Sequence, residues 1–190
     1  MSDQDYLQPD FYRFNEDSLI LVRTILGKID SVDSILDLGA GCGVLGLELA
    51  LHYKPRFLGL VELQKDFQES LESNIERFLP SETRLTLEYK SFSQWAPHRK
   101  FDLIVCNPPY YLPQHGQKSD DQRRHKARCF EEDDWATLAS AIKKSLSSDG
   151  IGFIVLKNDP QILKAARSAL SGIFNCQEDI QGGLVILELS

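Results

Sequence analysis

Gly39, Gly41 and Gly43 stand between an apolar run, Ile35-Leu36-Asp37-Leu38, and an amphipathic stretch that begins at Val44. Glycines permit a tight turn and let a ligand approach the backbone, and the N-terminus of a following helix offers unpaired N–H groups. The spacing Gly41-x-Gly43-x-x-Gly46 also matches the dinucleotide-binding fingerprint. Glu62 ends the next apolar run, 19 residues past Gly43, where its carboxylate can accept both ribose hydroxyls of an adenosine-containing ligand. Loop and acid together fit a dinucleotide or another adenosine-containing cofactor. Asp37 separates the two: it precedes the first glycine, where it repels an anionic pyrophosphate and favours a cationic α-amino group such as that of a methionine moiety.

A second constellation follows the apolar run Phe101–Cys106: Asn107-Pro108-Pro109-Tyr110-Tyr111. Two prolines remove two N–H donors and fix φ, so the Pro108 carbonyl is not absorbed into regular structure. Ligands of open α/β sheets sit beyond the carboxyl ends of the strands, which brings the Asn107 Oδ1 and the Pro108 carbonyl to the glycine loop's crevice. Two adjacent acceptors suit a planar NH2 group, whose delocalised lone pair makes it a poor nucleophile. Accepting both hydrogens raises electron density on nitrogen and lets it pyramidalise toward an electrophilic methyl. Tyr110 adds a flat face for stacking a base.

The segment Asp37-Leu38-Gly39-Ala40-Gly41-Cys42-Gly43 with its strand-end Glu62 resembles motif I and its acidic successor in class I S-adenosylmethionine methyltransferases. Asn107-Pro108-Pro109-Tyr110 resembles motif IV of the amino-methyltransferases. Nearest is the bacterial tRNA adenine-N6 methyltransferase family, whose leading segment Phe11-Tyr12-Arg13-Phe14-Asn15-Glu16-Asp17-Ser18 resembles, as do Tyr111 and the later Ala127-Arg128-Cys129-Phe130. The resemblance implies an enzyme with a Rossmann-like α/β fold, S-adenosylmethionine as cofactor and an adenine of RNA, expected to be tRNA, as substrate. It places cofactor contacts at Asp37, Gly39, Gly41, Gly43, Glu62, Ser91, Phe92 and Asn107, and catalytic roles at Asn107, Pro108 and Tyr110. Substrate contacts fall to Phe14, Tyr111, Arg123, Arg124 and Lys126. Two departures stand out: family members often carry an Asp at the end of strand three, where this chain has Ser91-Phe92, and the chain ends at Ser190, shorter than typical members. The alternatives are a protein glutamine N5-methyltransferase, an rRNA guanine-N2 methyltransferase and a non-catalytic S-adenosylmethionine- or RNA-binding module.

The elements that must position these residues alternate short apolar runs with amphipathic stretches, the pattern of an α/β domain. Strands are expected at Ser34–Leu38, Arg56–Val61, Arg84–Tyr89, Phe101–Cys106, Ile151–Leu156, Phe174–Ile180 and Leu184–Leu189. Helices are expected at Asp17–Leu26, Val44–Tyr53, Gln64–Leu79, Asp133–Ser147 and Pro160–Ser171, with Gly27 and Gly150 as stops. The first of these also reads as a strand. Gln181-Gly182-Gly183 is too short for a parallel crossover, so the last two strands form an antiparallel hairpin closing a mostly parallel seven-stranded sheet. Residues 1–190 then form one domain, with 1–33 as a substrate and cofactor lid.

The 190 residues are 42% apolar and 26% charged, with a net charge of −7, a globular composition that disfavours coating nucleic acid non-specifically. Five basic residues against two acidic ones give the window Gln114–Arg128 a net +3, which reads as a phosphate-gripping loop. Cys42, Cys106, Cys129 and Cys176 lie far apart without a CxxC, and His52, His98, His115 and His125 join no cluster with metal spacing, so no metal is expected. Trp95 and Trp135 read as packing residues. The acidic start lacks a signal-peptide core, and no apolar run is long enough to span a bilayer. A cytoplasmic monomer is the expectation.

Overall fold

Continuously apolar segments become central strands because both of their faces can be covered. That is the case for β1 (Ser34–Leu38), buried at every position, and for β4 (Phe101–Cys106), buried at all but Asp102. The computed structural model describes residues 5–14, 16–109, 121–127, 129–130 and 133–190. Tyr110, Tyr111, His115, Lys118 and Arg128 therefore lie outside the described residues. The remaining strands are β2 (Phe57–Glu62), β3 (Arg84–Tyr89), β5 (Leu146–Lys157), β6 (Cys176–Gln181) and β7 (Leu184–Leu189). They form one sheet in the order β3-β2-β1-β4-β5-β7-β6, in which β7 alone runs antiparallel to its neighbours. This is the mostly parallel sheet with a closing hairpin that the sequence predicts, and Gly182 turns the hairpin at φ 61°.

Helices cover both faces. On one side lie α1 (Glu16–Leu26), α2 (Val44–Tyr53) and α3 (Gln68–Phe78), which bury Leu21, Ile25, Leu47, Leu49 and Leu71 against β1, β2 and β4. On the other lie α5 (Trp135–Ser145) and α6 (Pro160–Leu170), which bury Leu138, Ile142 and Leu170 together with Trp95 and Trp135. A short helix, α4 (Gln122–Lys126), completes the described helices. Alternation splits β4 between the two cores, with Val105 facing one and Ile104 the other. α1 is a helix throughout, and the Gly27 N–H donates to the Arg23 carbonyl where it ends.

Two elements differ from expectation. Gly150 does not cap α5, which already gives way at Leu146 to an extended backbone. It belongs to β5, where Leu146 pairs with Phe101 and Ile151 with Leu103, so residues 147–150 bulge out. A Cβ at Gly150 would come within 3.0 Å of the Phe101 carbonyl oxygen, and that close approach is the reason for the glycine. The helix expected from Gln64 begins as a single 3-10 turn, Lys65–Phe67, because Gln64 is extended and its N–H is held by Glu62.

The close layering can be tested at Gly59 in β2, where an added Cβ would stand 2.8 Å from Leu36 Cδ1 and 3.1 Å from Phe101 Cζ. Gly59→Ala is expected to lower stability by about 1–3 kcal/mol through overpacking, measured by urea denaturation with the far-ultraviolet circular dichroism unchanged.

Candidate functional site

The order of strands reverses between β1 and β4, and a crevice opens beyond their carboxyl ends, as the doubly wound topology dictates. The loop from β1 to α2 forms its floor. Gly39, Gly41 and Gly43 all adopt positive φ (80°, 57° and 87°), a conformation that L side chains resist. The Gly39 and Ala40 N–H groups donate to the Val61 carbonyl at 2.8 and 3.0 Å, which docks the loop on β2.

Two buried carboxylates bracket this loop. Asp37 Oδ2 accepts from the Gly46 N–H at 2.9 Å, while Oδ1 is buried without a hydrogen-bond partner. Burial pushes the Asp37 carboxyl up to about 7; the Gly46 N–H opposes that shift and the Glu62 charge adds to it. Glu62 Oε2 accepts from the Gly41 N–H at 2.8 Å and Oε1 from the Gln64 N–H at 2.7 Å. Burial raises this carboxyl as well, against the pull of the backbone N–H groups of Gln64, Gly41 and Leu63.

The crevice has two lobes. One is lined by Glu62, Leu63, Gln64, Phe92, Phe130 and Asp133, the other by Phe14, Ser18, Asp37, Ala40 and Leu45. Tyr12, Gly39, Gly41 and Asn107 border both, so Asn107 sits at the junction. Its Nδ2 donates to Ser18 Oγ at 3.0 Å. Ser18 is held in turn by the first turn of α1, where Asp17 pairs with Lys157 at 2.7 Å.

Residues far apart in sequence close the crevice over. Fully buried Asn74 on α3 donates to the carbonyls of Cys42 and Leu7 and accepts from the Leu7 N–H, tying the glycine loop to the N-terminal segment. The Gln64 amide, oriented to satisfy both neighbours, donates to the Arg123 carbonyl and accepts from the Ala127 N–H. The Asp133 carboxylate accepts from the Phe92 N–H at 2.7 Å and the Ser93 N–H at 2.9 Å. A carboxylate thus reaches the end of β3 although Ser91-Phe92 supplies none.

Of the residues singled out in the sequence, Asp37, Gly39, Gly41, Glu62, Phe92, Phe14, Asn107 and Lys126 line the crevice. Three others support it from beneath: Gly43 starts α2 against Leu71, Ser91 bonds Ser93 Oγ inside a turn, and Pro108 is buried while Pro109 lines the wall. Arg123 and Arg124, read from the sequence as phosphate-gripping, make contacts within the chain. Arg123 pairs with Asp121 and Asp10 and lies over the Phe11 ring, and Arg124 Nε donates to the Phe11 carbonyl at 2.9 Å. Both fasten α4 to the N-terminal segment. Sequence reasoning missed Tyr12, Ser18, Gln64, Asn74 and Asp133, whose partners no local pattern marks. Among the described residues no group of His, Cys, Asp and Glu can hold a metal, and no helix is long and apolar enough to cross a membrane.

Comparison with known proteins gives a consistent result. Residues 12–179 match the family described as methyltransferase small domain. The tRNA1(Val) (adenine(37)-N6)-methyltransferase of Yersinia pseudotuberculosis is 32% identical over 152 residues, covering 77% of this chain and 59% of the relative. Its namesake from Pedobacter heparinus is 28% identical over 144 residues, covering 76% of this chain and 59% of the relative. The chain thus spans less than two thirds of the length of these curated relatives. Among solved structures, the N-methyltransferase NodS from Bradyrhizobium japonicum, in complex with S-adenosyl-L-homocysteine, superposes with a TM-score of 0.64 at 16% identity over 95% of this chain and 87% of its own.

The buried Asp37 sets a pH dependence. Between its usual value of 3.8 and its folded value of about 7, the unfolded chain sheds this proton while the folded chain keeps it. Stability therefore falls across that interval and levels off above it. Asp37→Asn removes this part of the slope, so the variant is expected to gain on the wild type steadily from pH 4 to pH 7, as read by urea denaturation at several pH values.

Proposed function

Since the chain belongs to the methyltransferase small domain family, we propose that it transfers a methyl group from S-adenosylmethionine to the N6 amino group of an adenine in RNA, with tRNA as the RNA species. One observation carries the reading: the orphaned Asp37 Oδ1, the Glu62 carboxylate and the Ser18-held Asn107 amide meet in a single crevice. These groups fit the cofactor. Asp37 Oδ1 offers a buried acceptor to its cationic amino group, and Glu62 offers the ribose hydroxyls the acceptor directions that Gly41 and Gln64 leave over.

When bound, S-adenosylmethionine supplies an electrophilic sulfonium methyl and leaves as S-adenosylhomocysteine. Asn107 does the remaining work at the junction of the lobes. Its Nδ2 donates to Ser18; Oδ1 is assigned to accept one hydrogen of the target NH2 and the Pro108 carbonyl to accept the other. The nitrogen lone pair is thereby freed to form the N–C bond, and the extra proton passes to water once the methyl is in place. No strong base is needed. Tyr110 is assigned to stacking of the base, which leaves its helix most cheaply from an unpaired loop. The curated relatives carry this activity in their names, which supports adenine over guanine or a protein glutamine.

Incubation with labelled S-adenosylmethionine and bulk tRNA, followed by nucleoside analysis, tests the substrate. Label in N6-methyladenosine is the expected result; label on guanosine or only on a protein glutamine overturns it. Calorimetry tests the cofactor: S-adenosylhomocysteine should bind and NADH should not. That binding should strengthen from pH 6 to pH 8 as Asp37, pushed up to about 7, ionises to meet the ligand's ammonium. Asn107→Ala should lower kcat by about 100-fold or more with cofactor affinity nearly unchanged. Ser18→Ala should lower kcat in the same direction, and Ser18→Thr, which keeps the hydroxyl, should restore it.

A further inference from the structure

We propose that Arg56, Arg84 and Arg99, gathered at the amino end of the β3 edge, form a phosphate-binding surface that holds the body of an RNA whose target base is in the crevice. The inference rests on the RNA reading above and adds a second point of contact to it.

β3 is the edge strand beside β2, and its first residue, Arg84, lies opposite Phe57. Three guanidiniums gather on the Phe57 ring: Arg99 stands 3.3 Å from its centroid, Arg84 5.6 Å and Arg56 5.7 Å. Arg56 and Arg84 are exposed and Arg99 is half-buried. Like charges this close repel one another, and the carboxylates at hand offset little of it. Asp33 is 3.8 Å from Arg56, with both side chains largely exposed. Among the described residues Arg84 and Arg99 pair with no carboxylate. Arg99 bonds only through Nε, to the Lys100 carbonyl at 3.4 Å. A stacked guanidinium keeps its N–H fork in its own plane, the geometry that meets phosphate in bidentate pairs.

Edge strands carry charges that discourage pairing with other chains. That need is met along a strand, whereas Arg56 and Arg99 lie outside β3 and converge on its first residue. Nor does covering Phe57 need three arginines, since Arg99 alone lies over it. The corner is also continuous with the crevice. At the far end of β3, Lys90 precedes Ser91 and the crevice-lining Phe92. Glu88, the acid of this strand, is already met by Lys90 at 2.5 Å, with exposed His98 at 3.9 Å. From Phe57 to Glu62, β2 spans about 16 Å. That distance is too far for the target nucleotide itself and suits the helix that flanks an unpaired loop. In a chain of net charge −7, a local concentration of cations is where an RNA backbone is attracted.

Fluorescence-anisotropy titration of the full chain with labelled bulk tRNA over a series of salt concentrations tests the surface, beside calorimetry with S-adenosylhomocysteine. Arg56→Gln, Arg84→Gln and Arg99→Gln combined should raise the tRNA Kd by about tenfold or more. The slope of log affinity against log salt should shrink by about two to three, close to one for each lost phosphate contact. S-adenosylhomocysteine affinity should not change. If the triple variant does not fold, Arg56→Gln with Arg84→Gln, both exposed, should shrink the slope by about one to two. Unchanged tRNA affinity and slope in a folded variant overturn the inference and leave the RNA reading standing, as does a Kd that rises with the slope unaltered. Poly-glutamate bound as tightly as tRNA, and weakened alike in the variant, marks an acidic protein as the partner and overturns it too. Failure of the wild type to bind tRNA overturns the RNA reading itself.

Discussion

Two carboxylates, Asp37 and Glu62, are buried on either side of the glycine loop, and backbone N–H groups of the loop, of the first turn of α2 and of Gln64 hold them there. Each burial is unfavourable by itself, since desolvation raises both carboxyls. The Gly41, Gln64 and Gly46 N–H groups offset part of that cost. The exchange also runs the other way. A loop that takes positive φ at three glycines has no repetitive hydrogen bonding of its own, and the acids at the ends of β1 and β2 give it a fixed shape. Strand ends, acids and loop therefore form one unit, and Gly46 belongs to it because a Cβ there would meet Asp37 Oδ2 at 3.0 Å.

Around that unit the rest of the crevice is assembled by contacts across long stretches of chain. Asn74 joins the loop to the N-terminal segment, Gln64 joins the end of β2 to α4, and Arg124 joins α4 back to Phe11. The three fastenings share a chemistry: in each, a side chain bonds to backbone groups, so what is recognised is the path of the chain and not a partner side chain. Arg123 adds charge pairs, but they are exposed ones with Asp10 and Asp121, which contribute little. The covering of the crevice depends on amide geometry more than on charge.

This division explains which features could be read before the structure was known. The glycine loop, Asp37, Glu62 and Asn107 are legible because each stands at a fixed distance from the end of an apolar strand, and strand ends in a parallel sheet share one edge. The closing hairpin is legible because three residues cannot cross over between parallel strands. Gly150 misled because a glycine after a helix resembles a cap, while its real constraint, the Phe101 carbonyl, belongs to another strand. For Arg123 and Arg124 composition reports charge and not the partners, Asp10, Asp121 and the Phe11 carbonyl, that they meet within the chain. Ser18 and Asp133 act on partners 89 and 41 residues away, and nothing in the neighbourhood of either residue marks that pairing.

The charge state of the crevice also accounts for an amide, and not a third acid, at its centre. Asp37 and Glu62 already raise the Cys106 thiol, next to Asn107 in sequence, beyond the effect of burial. A carboxylate at position 107 would meet the same repulsion and take up a proton, turning one of its acceptor oxygens into a donor. A neutral amide keeps its acceptor at any pH, and here its Nδ2 is bonded to Ser18. In the proposed reaction the two acids then have a further effect. The target nitrogen gains positive charge as the N–C bond forms, and a crevice that already holds buried negative charge favours that development without supplying a base.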